Sequence, residues 1–232
     1  MCWIAIILLI CLTLFLVWAS ADVGGNIYLK SLCRGDRADK LVTLTFDDGP
    51  DEVMTPKVLD VLQKHDIKAT FFVIGSKVEK FPHIAKRIVA EGHTIANHTY
   101  SHKATFPMSS YGTVLEEIQR CTQAIEKATG KLPGLFRPPF GVTNPILGKA
   151  VRSLGLQSIG WSIRSLDTIE SKSREEVCRR VAGSLHPGAV VLLHDRCDGA
   201  DRLLEMIIAE IKRQGYNFAP IEEMLKIDVY EV

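Results

Sequence analysis

From Leu41 onward the chain alternates short β-rich runs with longer amphipathic stretches, and no other feature of the sequence limits its fold as tightly. Strands are expected at 41–46, 69–74, 93–97, 134–137, 156–161, 189–194 and 216–219. One helix should open at Thr55-Pro56, where Val58, Leu59 and Leu62 fall at helical spacing and proline is tolerated in the first turn. Others are expected at 82–91, 110–129, 144–154, 173–184 and 200–214, with a shorter one closing at 220–226. Strands separated by helices run parallel, because parallel neighbours need a crossover. Seven such units in about 190 residues suit a distorted α/β barrel of (β/α)7 type. An open doubly wound sheet has the same periodicity, since both architectures bury their strands on both faces. No repeat, low-complexity tract or Gly/Ser linker divides residues 40–232, which are expected to form one domain.

The N-terminus stands apart. Met1 to Trp18 carries no charge, glycine or proline, and 18 apolar residues are just enough to cross a bilayer as a helix. Residues 1–21 are therefore expected to be a transmembrane anchor or a signal segment, with 22–39 as a juxtamembrane linker. Ala19-Ser20-Ala21 offers a signal-cleavage pattern, but the basic n-region of a signal is missing. Lys30, Arg34, Arg37 and Lys40 follow the segment, and the positive-inside rule would place the remainder in the cytoplasm. The formal charge is only +1 over 232 residues, which argues against nucleic acid as a partner. Nothing points to a protein partner. Cys33, Cys121, Cys178 and Cys197 lie outside the apolar segment with no C-x-x-C spacing, and fit free thiols as well as disulfides.

The chemistry-bearing residues sit where the strands end. Asp47-Asp48-Gly49-Pro50 follows the first expected strand, His98 and His102 the third, and Arg137-Pro138-Pro139-Phe140-Gly141 the fourth. Trp161 and Asp167 follow the fifth, and His194-Asp195 ends the sixth. In parallel α/β folds the C-terminal strand ends share one rim, where active sites are built. Two imidazoles four residues apart can share one face of a helical turn and chelate a cation. Adjacent aspartates on a strand point in opposite directions, so one can ligate while its neighbour turns to a substrate. Two His and one Asp leave open coordination positions, and their N/O donors suit Zn²⁺, with Co²⁺, Ni²⁺ or Mn²⁺ also compatible. His194, ending an apolar run, is placed to protonate a leaving amine. The G-x-S-x-G, P-loop, G-x-G-x-x-G and H-E-x-x-H patterns are all absent. His93 should lie on the opposite rim, while His65, His83 and His186 fall in helices or loops.

These residues resemble the polysaccharide deacetylases that share the NodB homology domain, carbohydrate esterase family 4. Five motifs appear in order: Thr45-Phe46-Asp47-Asp48-Gly49-Pro50, His98 to His102, Arg137 to Phe140, Trp161 to Asp167, and Leu192-Leu193-His194-Asp195. The resemblance implies a distorted α/β barrel that removes N-acetyl groups from N-acetylglucosamine-containing glycan, peptidoglycan or chitin-like, with a divalent metal. By position, Asp47 corresponds to the catalytic base, Asp48, His98 and His102 to the metal triad, and His194 to the catalytic acid. Arg137 corresponds to the arginine that holds the base, and Asp167 to the acid that orients the histidine. The Phe140 backbone N–H, next to Pro139, would serve the oxyanion, and Leu192 and Trp161 would line the acetyl pocket. Thr168 stands where the family commonly has an aromatic that shapes the substrate groove. The catalytic domain is expected to be membrane-anchored and extracytoplasmic, with secretion after signal cleavage or a cytoplasmic-facing orientation as the alternatives. Two other readings are a glycan-binding protein without activity and a deacylase of O-acetyl groups or small cytoplasmic amides.

Overall fold

The computed structural model describes residues 2–36 and 40–230. Among the described residues, nine α-helices, α1 to α9, lie at Cys2–Ala21, Met54–His65, Gly75–Lys80, Pro82–Ala90, Tyr111–Thr129, Pro145–Ser153, Arg174–Gly183, Ala200–Arg213 and Ile221–Leu225. Nine strands, β1 to β9, lie at Ser31–Leu32, Leu41–Gly49, Thr70–Val73, Thr94–Asn97, Leu135–Phe136, Gln157–Ile159, Ile163–Arg164, Ala189–His194 and Asn217–Phe218. They form one curled sheet in the order β1-β6-β5-β4-β3-β2-β8-β7, with β9 added beside the start of β2. Every strand pairing is parallel. This is the distorted α/β barrel that the resemblance implies; the strand–helix alternation alone suits an open doubly wound sheet as well.

The centre of the barrel is fixed by continuous apolar runs. β2 pairs with β8 over six residues, Val42 with Ala189 through Asp47 with His194, and with β3 on its other side. Phe46 and Phe71 stack in this core with ring centroids 5.1 Å apart. Burying each such ring stabilises by roughly 1.5–3 kcal/mol. Helices start where polar caps allow: Ser173 and Glu176 make a reciprocal capping box at α7, and Asn144 accepts from the Leu147 N–H at α6.

Two differences from the sequence expectation bear on the site. The stretch 22–39, expected as a linker, supplies β1, whose Ser31 and Leu32 pair with Ser158 and Ile159. Arg34 then bridges Ala189 at the start of β8, so this stretch connects the β1 edge to the other end of the curled sheet through β8. The second edge strand, β7, was likewise not expected; it lies in no β-rich run and is placed by its pairing with β8. One helix, Trp3–Ala21, is long and apolar enough to cross a membrane, with mean hydropathy 2.8 and most of its side chains exposed. The five cysteines described beyond Cys2 are free thiols.

Candidate active site

β2 carries both aspartates to the rim, but not by simple alternation. Asp47 pairs with Phe72 and Gly49 with Val73, leaving Asp48 as the extra residue of a bulge with φ +72°. This left-handed residue re-aims its side chain, and both carboxylates face the same place: Asp47 Oδ2 lies 3.7 Å and Asp48 Oδ1 3.5 Å from His98 Nε2. The expected opposite orientation of the pair does not hold. Behind the bulge, Gly49 rests on the buried Asp195 carboxylate so closely that a Cβ would collide with it. Burial pushes Asp195 up to about 7, and Thr55 donates its hydroxyl to Oδ2 at 2.6 Å.

Asp47 is held by Arg137. The Arg137 guanidinium is fully buried and donates to Asp47 Oδ1 at 2.7 Å, Thr45 Oγ1 at 2.8 Å, and the carbonyls of Ile159 and Gly160. It lies 4.0 Å over the Phe72 ring. Desolvation lowers its pKa, opposed by Asp47, yet a guanidinium stays charged across the working pH range. Asp47 therefore keeps one oxygen committed to a fixed cation and the other turned to the histidines.

The histidine pair sits on a loop rather than on the helical turn expected from its spacing. Thr99 and His102 take left-handed φ of +67° and +49°, which fold the loop back and bring the two rings to 4.8 Å. Asn97 braces it from below by accepting the Thr99 N–H and donating to the Ile118 carbonyl, and Glu117 accepts from the Ser101 N–H and hydroxyl. His98 Nδ1 donates to the Arg137 carbonyl at 2.8 Å, which leaves Nε2 with its lone pair free. His102 Nε2 is 3.3 Å from Asp48 Oδ1.

One ligand atom each from Asp48, His98 and His102 falls within 4.8 Å of the others. Asp48 Oδ1 is buried and has no hydrogen-bond partner, while Oδ2 accepts from Arg196 Nε at 2.8 Å. Burial works against the Asp48 charge, but the imidazoles and Arg196 outweigh it and lower its pKa. Burial, then the neighbouring His98, brings His102 down to about 4, so it is neutral at pH 7. An orphaned carboxylate oxygen facing two imidazole nitrogens fits a divalent cation.

Opposite stands His194. Its Nδ1 and Asp167 Oδ1 are 2.8 Å apart, its backbone N–H donates to Asp167 Oδ2 at 2.7 Å, and Ser165 donates its hydroxyl to Oδ1. Burial disfavours the imidazolium, but the Asp167 hydrogen bond and the charges of Asp167, Asp47 and Asp48 outweigh it and raise the pKa. Pro139 starts a tight turn in which Phe140 has φ +60°, with its ring 4.7 Å from His102. Gly141 must be glycine, since a Cβ there would strike the Trp161 ring. All these side chains surround a cleft of about 550 Å³ that opens to solvent. Arg137, Asp167 and Pro139 stand behind its wall, and the remaining expected site residues line it. Thr45, Lys77, Ser165 and Arg196 were not anticipated. Lys77 donates to the Asp48 carbonyl at 2.7 Å, and with Arg196 it secures the bulge from outside.

A curled parallel barrel whose rim joins an Asp–His–His cluster to an Asp–Arg and a His–Asp pair defines a class of α/β-barrel proteins with a candidate metal centre. Residues 34–159 match the polysaccharide deacetylase family, and the chain belongs to that family. It is 36% identical over 190 residues to a peptidoglycan-N-acetylglucosamine deacetylase of Listeria monocytogenes, an alignment covering 81% of this chain and 39% of the Listeria protein. The chain thus spans about two fifths of that relative's length. It is 34% identical over 194 residues to the peptidoglycan-N-acetylmuramic acid deacetylase of Bacillus subtilis, covering 82% of this chain and 73% of the relative. Among solved structures, the Bc1960 peptidoglycan N-acetylglucosamine deacetylase superposes with a TM-score of 0.82 at 33% identity, covering 87% of this chain and 95% of that one.

Proposed function

We propose that this chain is a metal-dependent hydrolase that removes N-acetyl groups from an N-acetylglucosamine-containing polysaccharide, with residues 40–232 and the β1 segment as its catalytic unit. The observation that carries the reading is the convergence, in one open cleft, of an unsatisfied Asp48–His98–His102 cluster with an arginine-held Asp47 and an aspartate-held His194. Membership of the family and the deacetylase relatives support it.

Asp48, His98 and His102 would hold the cation; Zn²⁺ suits the N/O donor set without thiolate, and Co²⁺, Ni²⁺ or Mn²⁺ fit it as well. When bound, such an ion polarises an acyl oxygen and acidifies water. Asp47 is the general base: its Oδ1 is fixed by Arg137, and Oδ2 can take the proton of an attacking water. His194, with its pKa raised by Asp167, supplies the proton to the leaving amine nitrogen. The Phe140 N–H, next to Pro139, would serve as oxyanion donor, and Trp161 and Leu192, which line the cleft, would wall the acetyl methyl. The products are acetate and a free amine on the glycan. A glycan-binding protein without activity would have no need of both intact pairs, Asp47–Arg137 and His194–Asp167.

The apolar α1 is proposed as a membrane anchor that keeps the catalytic unit on the extracytoplasmic face, where the glycan is; release after signal cleavage is the alternative. The test is acetate release by the purified protein from peptidoglycan sacculi and from chitin oligomers, with chelator and with Zn²⁺ restored. Metal-restored release from either supports the reading, and the better substrate names the polymer. No release from either, with metal bound, would overturn it.

A further inference from the structure

The basic residues that follow α1 have no part in the chemistry above, yet the structure gives two of them a common place. The end of α1 is docked rather than loose. Ala19 is buried, the Ser20 carbonyl accepts from the Thr143 N–H at 2.9 Å, and the Ala19 carbonyl accepts from the Thr143 hydroxyl. The chain then turns at Asp22, whose Oδ1 accepts from the Gly24 N–H, and runs on to β1. Between this stretch and the loop around Trp161 lies a groove of about 520 Å³, lined by Lys30, Arg34 and Arg164 with Asp22 at its end. Trp161 and Arg164 line both this groove and the catalytic cleft, so the two adjoin.

Three basic residues and one acidic residue line this concavity, and the acid's Oδ1 already serves a backbone N–H. Arg164 is fixed in place through its backbone: its carbonyl accepts from Arg180 Nε at 2.8 Å, and its guanidinium lies 5.9 Å from the Trp161 ring. Concentrating like charges beside a low-dielectric wall focuses a positive potential along the groove. Guanidinium groups match the geometry of carboxylate and phosphate oxyanions.

We propose that the groove formed by Lys30, Arg34 and Arg164 is a second subsite, which binds an anionic group carried by the glycan next to the sugar in the catalytic cleft. This rests on the deacetylase reading and adds the substrate's charge to it. The oxyanion has two sources in such glycans: carboxylates of muramic acid or its peptide, and the diphosphate at the reducing end of a membrane-borne chain.

The experiment uses the full chain in detergent micelles and three substrates: neutral chitin tetramer, a disaccharide–peptide fragment of peptidoglycan, and a prenyl-diphosphate-linked disaccharide. Wild type should favour at least one anionic substrate over the tetramer, and the preference should weaken as salt rises. Lys30→Ala/Arg34→Ala should lower kcat/KM on that substrate by about tenfold, as loss of a charged hydrogen bond does, and leave the tetramer rate unchanged, while Arg164→Ala, at a residue that also lines the cleft, should cost more on the anionic substrate than on the tetramer. Arg164→Lys should recover part of the loss. Loss on the peptide fragment alone assigns a carboxylate, and loss on the diphosphate alone assigns a phosphate. Equal rates on all three substrates, or equal losses on neutral and anionic ones, would overturn the subsite. If wild type releases no acetate from any of them, the deacetylase reading has failed. Calorimetric binding of the two anionic fragments to wild type and variants then decides the groove separately, with unchanged binding counting against it.

Discussion

His93 and His98 sit at opposite ends of one strand, both are buried, and they have opposite fates. At the entry of β4, His93 Nδ1 accepts the Ala69 N–H at 3.2 Å, so the ring must carry its proton on Nε2. That Nε2 is buried without a partner, 3.9 Å from Glu91 Oε2, which is itself unsatisfied. At the exit, His98 Nδ1 donates to the Arg137 carbonyl, so Nε2 keeps its lone pair and faces Asp48 Oδ1. One backbone partner, donor or acceptor, selects the tautomer. A buried histidine with unsatisfied polar neighbours is therefore not by itself a site. What separates the two rims is convergence: at the exit three ligand atoms meet at a cleft open to solvent, while at the entry two poorly satisfied groups share a closed corner.

The contrast can be tested by making the same change at both ends. His98→Gln removes a ligand nitrogen and should lower metal affinity and kcat/KM by at least about a hundredfold, read by metal titration and acetate release. His93→Gln should leave both within about threefold, because it touches neither the cleft nor its support. A comparable loss of activity at His93 would break the distinction.

A smaller effect is expected at the other catalytic pair. In Asp167→Asn, His194 loses the hydrogen bond and charge that raise its pKa. If His194 acts as the protonated acid, activity falls as pH rises through that pKa. The variant's alkaline limb should therefore move to lower pH, and its kcat should fall roughly tenfold to a hundredfold. An unshifted alkaline limb would remove His194 from that role.

The smallest effect concerns stability alone. Burial first, then Lys68 and Arg87, hold the His93 pKa down at about 4 against an ordinary 6.5. An unfolded chain binds this proton more readily than the folded one between those values. Stability is thus greatest above pH 6.5 and is progressively lost as pH falls toward 4. The lowered pKa corresponds to about 3 kcal/mol across that window. Urea unfolding at pH 7.5 and pH 5 should show a steeper fall for wild type than for His93→Gln, and equal falls would count against the buried neutral form.

Much of the fold was legible because seven of the strands fall in β-rich runs set between helical stretches. β1 and β7 were not, since neither lies in such a run and both owe their place to neighbours across the sheet edge. The site was legible through its motifs, but its geometry was not. The Asp48 bulge reverses the alternation rule for one residue, and only the hydrogen-bond register with β3 reveals it. His102 reaches His98 through two left-handed residues that histidine spacing does not announce. Thr45, Lys77, Ser165 and Arg196 belong to no spacing pattern, because separate strands and loops bring them to the rim. The Asp-Gly dipeptide at 48–49 was the one local hint of unusual backbone, since both residue types tolerate left-handed conformations.

The division of labour between the adjacent aspartates is the central claim, and Asp47→Asn tests it most directly. The amide keeps the volume and can still accept from Arg137, while Asp48, His98 and His102 are untouched. Metal content and acetate release should be measured on the same preparation. The account predicts a metal stoichiometry equal to wild type with turnover lowered by about 10³-fold or more. Wild-type turnover in this variant, or loss of the metal with it, would contradict the assignment of Asp47 as base and Asp48 as ligand.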